Sequence, residues 1–103
     1  MNEKPRMNFS AALTLALIEL TSWAEADKRD PARDFWRAWK NYELDVLQNL
    51  ERRGLVRASH KTNSLQLTDA GKRCGEILLR HFQEAFERYQ IDYSPENGGE
   101  YAD

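Results

Sequence analysis

The chain has 103 residues and a formal net charge of −2, with 41% apolar and 31% charged residues. This size supports one domain with a single hydrophobic core, and the longest apolar run, Leu15–Ile18, is far too short to cross a bilayer. A single cysteine, Cys74, excludes an internal disulfide and agrees with a reducing compartment, so we expect a cytoplasmic protein that does not enter the membrane.

The N-terminal third predicts two helices. Residues 1–8 are expected to be flexible, and a cap at Asn8 or Ser10 begins a helix over Phe9–Ala26. Its main apolar stripe is broadened by Leu15 and Ile18, which predicts two apolar contacts. The stripe consists of Leu13, Leu17, Leu20 and Ala24.

Pro31 suits the first turn of a second helix, Pro31–Lys40. At helical spacing, Phe35, Trp36 and Trp39 would share one face. This pattern favours packing between helices over a platform on which nucleic-acid bases stack.

The third predicted helix, Asn41–Arg53, ends at Gly54 and turns Leu44, Leu47 and Leu50 inward. Its outward face is wholly polar and suits a recognition helix in a major groove, where amides read adenine and arginine reads guanine. Asp45 opposes this reading because a phosphate-lined groove repels a carboxylate, although a carboxylate also suits the positive end of a helix. The predicted recognition residues are Asn41, Asp45, Gln48, Asn49 and Arg52.

A two-stranded wing is predicted next, with strands at Leu55-Val56 and Leu65–Leu67 and a polar turn at Ser59–Asn63. The segment from Lys28 to Lys61 contains nine basic and five acidic residues, a local charge of +4. Basic side chains here could contact the DNA backbone or, equally, protect a hairpin edge from strand pairing. The candidate backbone contacts are Arg57, His60, Lys61 and Lys72.

A fourth helix, Asp69–Tyr89, begins at a Thr68-Asp69 cap and would be roughly 30 Å long, more than the core of this domain needs. Its apolar stripe continues to the end, which predicts a homodimer through the first and fourth helices. The expected interface residues are Phe82, Phe86 and Tyr89. Residues 91–103 are expected to form a disordered acidic tail.

Catalytic chemistry has little support in this sequence. Cys74 and His81 are seven residues apart on one predicted helix, which is about 10 Å and too far to share a proton or a metal. His60 falls in a turn, and no phosphate-binding glycine loop or hydrolase triad is present. We therefore expect no enzyme activity, metal or cofactor.

Two motifs carry a family resemblance. Leu47-x-x-Leu50-x-x-x-Gly54-Leu55-Val56, followed by Leu65-x-Leu67-Thr68-x-x-Gly71, resembles the recognition helix and wing of winged helix-turn-helix proteins of the MarR and PadR kind. More narrowly, Arg37-Ala38-Trp39-Lys40-x-Tyr42-x-x-Asp45-x-Leu47 joined to Lys61–Gly71 is similar to a bacterial family of small winged-helix domains of unknown function. That family implies a fold and no activity.

The sequence thus predicts a mainly α-helical winged helix-turn-helix domain over residues 9–90, with four helices and a two-stranded β-hairpin. The expected function is binding of double-stranded DNA by a small, homodimeric transcriptional regulator. The alternative is a non-enzymatic domain for protein–protein contact, in which the polar face of the third helix binds a protein partner.

Overall fold

The computed structural model describes residues 7–30, 32–58 and 61–89. In these ranges there are three helices, and a pair of strands lies between each helix and the next. They are α1 (Phe9–Thr21), β1 (Trp23–Ala26), β2 (Asp34–Trp39), α2 (Leu44–Arg52), β3 (Val56–Ala58), β4 (Ser64–Leu67) and α3 (Asp69–Tyr89).

The four strands form one antiparallel sheet in the order β1-β2-β4-β3. Trp36 pairs with Leu67, and Val56 pairs with Leu67 from the other side. Because side chains alternate across a strand, this register divides the sheet into an apolar face and a mixed face. The apolar face carries Trp36, Ala38, Val56, Ala58, Leu65 and Leu67.

All three helices contact the sheet, and the core lies between them and its apolar face. Ala11, Leu15 and Ile18 of α1 are fully buried there, as is Leu50 of α2. Helix α3 packs along α1, and its two glycines, Gly71 and Gly75, are the residues that sit deepest. Helix α3 can therefore approach Leu55 and Glu19 this closely only because Gly71 and Gly75 have no side chain.

The predicted fold of four helices plus a two-stranded wing is wrong. Residues 34–39, expected to be helical, form β2, which pairs with β1 on one edge and β4 on the other. The aromatic residues favour a strand, and their period is two: Phe35 and Trp39 lie on one face and Trp36 on the other. The helix that would precede the recognition helix of a helix-turn-helix is therefore absent from the described residues.

The first helix is also shorter than predicted. It ends at Thr21, where the Ser22 backbone N–H donates to the Glu19 carbonyl, and residues 23–26 form β1 instead. Its buried residues are Ala11, Leu15, Ala16 and Ile18, whereas Leu13, Leu17 and Leu20 of the predicted main apolar stripe are exposed. The helix carries apolar residues on two opposite faces. The core lies against the face of Leu15 and Ile18, and the face of Leu13 and Leu17 is exposed.

Several local predictions are confirmed. The Asn8 side chain accepts a hydrogen bond from the Ala11 N–H at 2.7 Å and caps α1. Gly54 follows α2 with a φ of +73°, the left-handed conformation that ends many helices. Thr68 Oγ1 accepts from the Gly71 N–H at 3.0 Å, and α3 has the predicted bounds. The β3–β4 hairpin lies where the wing was expected.

Some predictions concern residues outside the described ranges. These include the acidic tail 91–103, most of the N-terminal segment 1–8, the helix start at Pro31 and the backbone contact at His60. In the N-terminal segment, Met7 packs against the core and Asn8 caps α1.

We predict that Gly71→Ala destabilises the domain by about 2 kcal/mol or more, because a Cβ there would overlap the backbone carbonyl of Leu55. In an unobstructed helix the same change would stabilise by about 1 kcal/mol, so the sign is informative. Chemical denaturation measures it, with Ala70→Ser on the exposed side of α3 as the control. A Gly71→Ala protein as stable as the wild type would contradict this packing.

Candidate interaction surfaces

The outward side of α2 is polar but smaller than predicted. The helix begins at Leu44 with Glu43 at the N-cap, so Asn41 lies before it, and Leu44 is 69% exposed instead of buried. Gln48 and Arg52 are exposed on the helix.

Two further predicted recognition residues are engaged in local hydrogen bonds. Asp45 Oδ1 accepts from the Val46 backbone N–H at 3.0 Å, which is the role expected of a carboxylate at the start of a helix. Asn49 is half-buried and its Oδ1 accepts from Arg53 Nε at 2.9 Å. The exposed part of this face is therefore centred on Gln48 and Arg52.

Of the residues predicted to contact the DNA backbone, Arg57 and Lys72 line the same groove. Lys61 is exposed in the turn between β3 and β4, and Arg57 is exposed in β3. Lys72 is instead held within the fold: its Nζ lies 2.8 Å from Glu19 Oε2 and 3.5 Å from the centre of the Trp36 ring.

The Glu19–Lys72 pair links α1 to α3 at a largely buried point, with 10% of the Glu19 side chain and 19% of the Lys72 side chain exposed. Glu19 Oε1 is buried and has no hydrogen-bond partner in the described part of the chain. Lys72 therefore supplies the positive charge that pairs with this largely buried carboxylate. The same ammonium group also lies over the Trp36 ring.

A second surface is the outer face of α1, formed by Phe9, Leu13, Leu17 and Leu20. Their exposed fractions are 70%, 43%, 46% and 60%. This face lies opposite Leu15 and Ile18, since successive residues are about 100° apart. The sequence predicted two apolar contacts for this helix, but it carries no signal that distinguishes the face that meets the core, because both faces are apolar.

The end of α3 exposes further apolar residues, as its length predicted. Every described residue from Gln83 to Tyr89 is exposed, with Phe86 at 51% and Tyr89 at 72%. Phe82 is half-buried. A turn spacing of 3.6 residues places Phe82 and Phe86 on the same stripe as Gly75, whose Cα faces α1.

The third surface is the mixed face of the sheet, called here the open sheet face. Three aromatic rings lie on it together with two arginines, and Trp39 is 56% exposed. The Trp23 and Trp39 ring centroids are 5.1 Å apart at 48°. Its residues are Trp23, Glu25, Phe35, Arg37, Trp39, Arg57, Ser64 and Gln66.

Arg37 organises the centre of the open sheet face. Its Nε donates to Ser64 Oγ at 3.0 Å and lies 3.6 Å from Glu25 Oε2. The guanidinium is also 5.8 Å from the Phe35 ring centre. These contacts join β1, β2 and β4 and fix the orientation of the surrounding rings.

At one end of this face is a groove of about 610 Å³, called here the basic groove. Phe35, Arg57 and Gln66 line it and also belong to the open sheet face. Five basic and three acidic side chains surround it. These are Arg29, Arg33, Arg57, Lys72 and Arg73, and Asp27, Asp34 and Asp69.

Within the described ranges, no group of three or more histidine, cysteine, aspartate or glutamate residues is placed to hold a metal ion. Cys74 is half-buried beside the core, and His81 is exposed on α3 with Nδ1 3.7 Å from Glu84 Oε2. No helix in the described part of the chain has the length and hydropathy of a membrane span.

We predict that Lys72→Met destabilises the domain by about 3 kcal/mol, because it leaves the Glu19 carboxylate largely buried without its partner. Adding Glu19→Gln removes the uncompensated charge, so the double variant should regain a large part of the loss. Urea denaturation of the four proteins of this cycle measures both effects. Equal stability of Lys72→Met and wild type would show that the pair contributes nothing.

Comparison with known proteins identifies a family for most of the chain. Residues 10–85 match the family model described as a domain of unknown function, DUF6429. No curated protein and no solved structure shows significant similarity. The narrower resemblance, to small domains of unknown function, is confirmed to this extent, and no winged-helix family is named. Because the match covers more than half of its length, the chain belongs to the DUF6429 family of domains of unknown function.

Proposed function

We propose that this domain is a non-enzymatic interaction module that functions as a homodimer, joined through the α1 outer face. The observation that carries the proposal is that α1 has apolar residues on two opposite faces while the core covers only one of them. Large exposed apolar patches mark interaction sites.

The chemistry of α1 favours a second copy of the chain as the occupant. Residues 9–18 carry no ionisable side chain, and the one charge of α1, Glu19, is directed to Lys72. Two α1 outer faces can therefore meet across a two-fold axis without opposing like charges, as an isologous interface requires. Phe86 and Tyr89 continue the stripe of α3 that packs on α1 and add apolar surface for the same partner.

We predict that the wild-type protein sediments as a dimer of about 24 kDa, twice the chain mass of 12.0 kDa. Leu17→Glu should give a folded monomer, since it places a charge at the centre of the α1 outer face without entering the core. Gln48→Glu adds the same charge on exposed α2 and should remain dimeric.

The measurement is analytical ultracentrifugation at micromolar concentration, with circular dichroism to confirm that each variant is folded. A wild-type protein that stays monomeric at every concentration measured would contradict the proposed dimer. So would a dimer that Leu17→Glu leaves intact.

Binding of double-stranded DNA by α2 is a second candidate function. Exposed Gln48 and Arg52 favour it, because these side chains make bidentate contacts with adenine and guanine edges in a major groove. Only these two side chains favour it, because the described part of the chain lacks the supporting helix of a helix-turn-helix. Binding of a protein partner by the same face is the alternative, and the acidic Glu43 and Asp45 favour it.

We predict that Arg52→Ala lowers affinity for a preferred duplex by about 1 to 3 kcal/mol and relaxes its sequence preference. Lys61→Ala should weaken binding to all sequences alike and reduce the salt dependence by about one unit. Asp45→Asn should raise non-specific affinity. Arg80→Ala, an exposed arginine on α3, is the control.

Titration of labelled random and selected duplexes at two salt concentrations measures these effects. If neither wild type nor Asp45→Asn retains a duplex at about 50 mM salt, where phosphate contacts are strong, duplex binding by α2 is wrong. Loss of a protein partner in pull-downs with Asp45→Asn would support the alternative.

A further inference from the structure

We propose that single-stranded nucleic acid binds across the open sheet face, with bases stacked on its aromatic rings and phosphates in the basic groove. The proposal is independent of α2 and of the dimer. It rests on the side of the sheet that the helices leave uncovered and on the chemistry that the strand register brings together there.

The aromatic side chains of this face are not needed by the core. Trp39 is 56% exposed although it lies in the central strand β2, and its Cα partner on β4 is Ser64. The core is built on the other side of the same strand, where Ala38 is fully buried. Exposed rings on an open antiparallel sheet are the surface on which unpaired bases stack, because every base presents a π-face.

Contacts within the sheet hold these rings in place before any ligand arrives. Trp23 packs against Trp39 with ring centroids 5.1 Å apart, and its Nε1 donates to Glu25 Oε2 at 3.0 Å. Arg37 lies over Phe35 and is itself bound to Ser64. Orienting the rings in advance lowers the ordering cost of binding.

Charge then favours a polyanion as the ligand. Within the described ranges, no carboxylate forms an ion pair with Arg29, Arg57 or Arg73, all of which line the basic groove. Among the groove acids, Asp69 pairs with Arg33 at 3.1 Å. Asp27 and Asp34 keep their negative charges, so the three arginines still give the groove a positive excess.

The groove and the rings form one path. Phe35, Arg57 and Gln66 belong to both, so the groove that holds Arg57 also reaches the Phe35 ring. Gln66 offers an amide that can donate to and accept from a base edge. A duplex keeps its bases stacked inside and cannot use the rings, which is why a single strand fits this surface.

Titration of an oligothymidylate of about 12 nucleotides, within the site sizes of such surfaces, tests the proposal. Binding should quench tryptophan fluorescence and change the anisotropy of a labelled strand. Trp39→Ala should weaken binding about tenfold, as loss of one stacked base predicts. Trp39→Phe should stay within about twofold, because phenylalanine also presents a ring on which a base stacks. Ile77→Ala, at an exposed apolar residue of α3, is the control and should also stay within about twofold.

Two further probes separate stacking from simple charge attraction. An abasic strand of the same length and a duplex of the same sequence should both bind more weakly than oligothymidylate. Arg57→Ala should lower the salt dependence by about 0.7 per lost phosphate contact, whereas Arg80→Ala should not. If Trp39→Ala does not fold, the comparison of Arg57→Ala with Arg80→Ala tests whether nucleic acid binds at this face.

The proposal is overturned if oligothymidylate does not bind at about 50 mM salt, where electrostatic contacts are strong. Equal binding of the abasic strand, or equal loss with Ile77→Ala, would also overturn it. Absence of nucleic-acid binding together with tight capture of a defined protein by the wild type, lost in Trp39→Ala, would assign the face to a protein interface.

Discussion

The pairing of β2 on both of its edges is the constraint on which the rest of the structure depends. A strand with neighbours on each side must send alternate side chains to opposite faces. Ala38 consequently lies in the core, while Phe35, Arg37 and Trp39 point the other way. The same pairing recruits residues 23–26 into β1 and shortens α1 to Thr21.

Helix α1 meets a second constraint, which is the close approach of α3. A Cβ at Gly75 would lie 2.9 Å from the Glu19 Cβ, and one at Gly71 would overlap the Leu55 carbonyl. Helix α3 packs through Gly75 on the side of α1 that carries Glu19, whereas Leu13 and Leu17 on another side are exposed. An exposed apolar face of this kind is typical of an interaction site.

Local signals in the sequence predicted the C-terminal half of the fold. Gly54, the β3–β4 hairpin, the Thr68 cap and the bounds of α3 depend on neighbouring residues and turn chemistry, and each lies where it was predicted. The N-terminal half depends on pairing between distant strands. In Phe35, Trp36 and Trp39, helical and strand spacings both gave a plausible apolar face, and tertiary pairing decided between them.

The interaction surfaces could be predicted only in part, for the same reason. Exposed Gln48, Arg52, Phe86 and Tyr89 follow from helical periodicity within α2 and α3. The open sheet face could not be found, because its residues come from four strands whose order is not a local property of the chain. Lys72 was assigned to DNA as a basic residue after a hairpin, whereas its partner Glu19 lies 53 positions earlier.

The three surfaces occupy different sides of the domain, which determines how they can act together. The helices lie on one side of the sheet, so pairing through the α1 outer face leaves the open sheet faces of both copies uncovered. If both proposals hold and one strand can reach the two faces of the proposed dimer, the second contact would form at a high effective concentration. Weak stacking on each copy would thereby give a tighter complex for long strands than for short ones, without any additional contact within a copy.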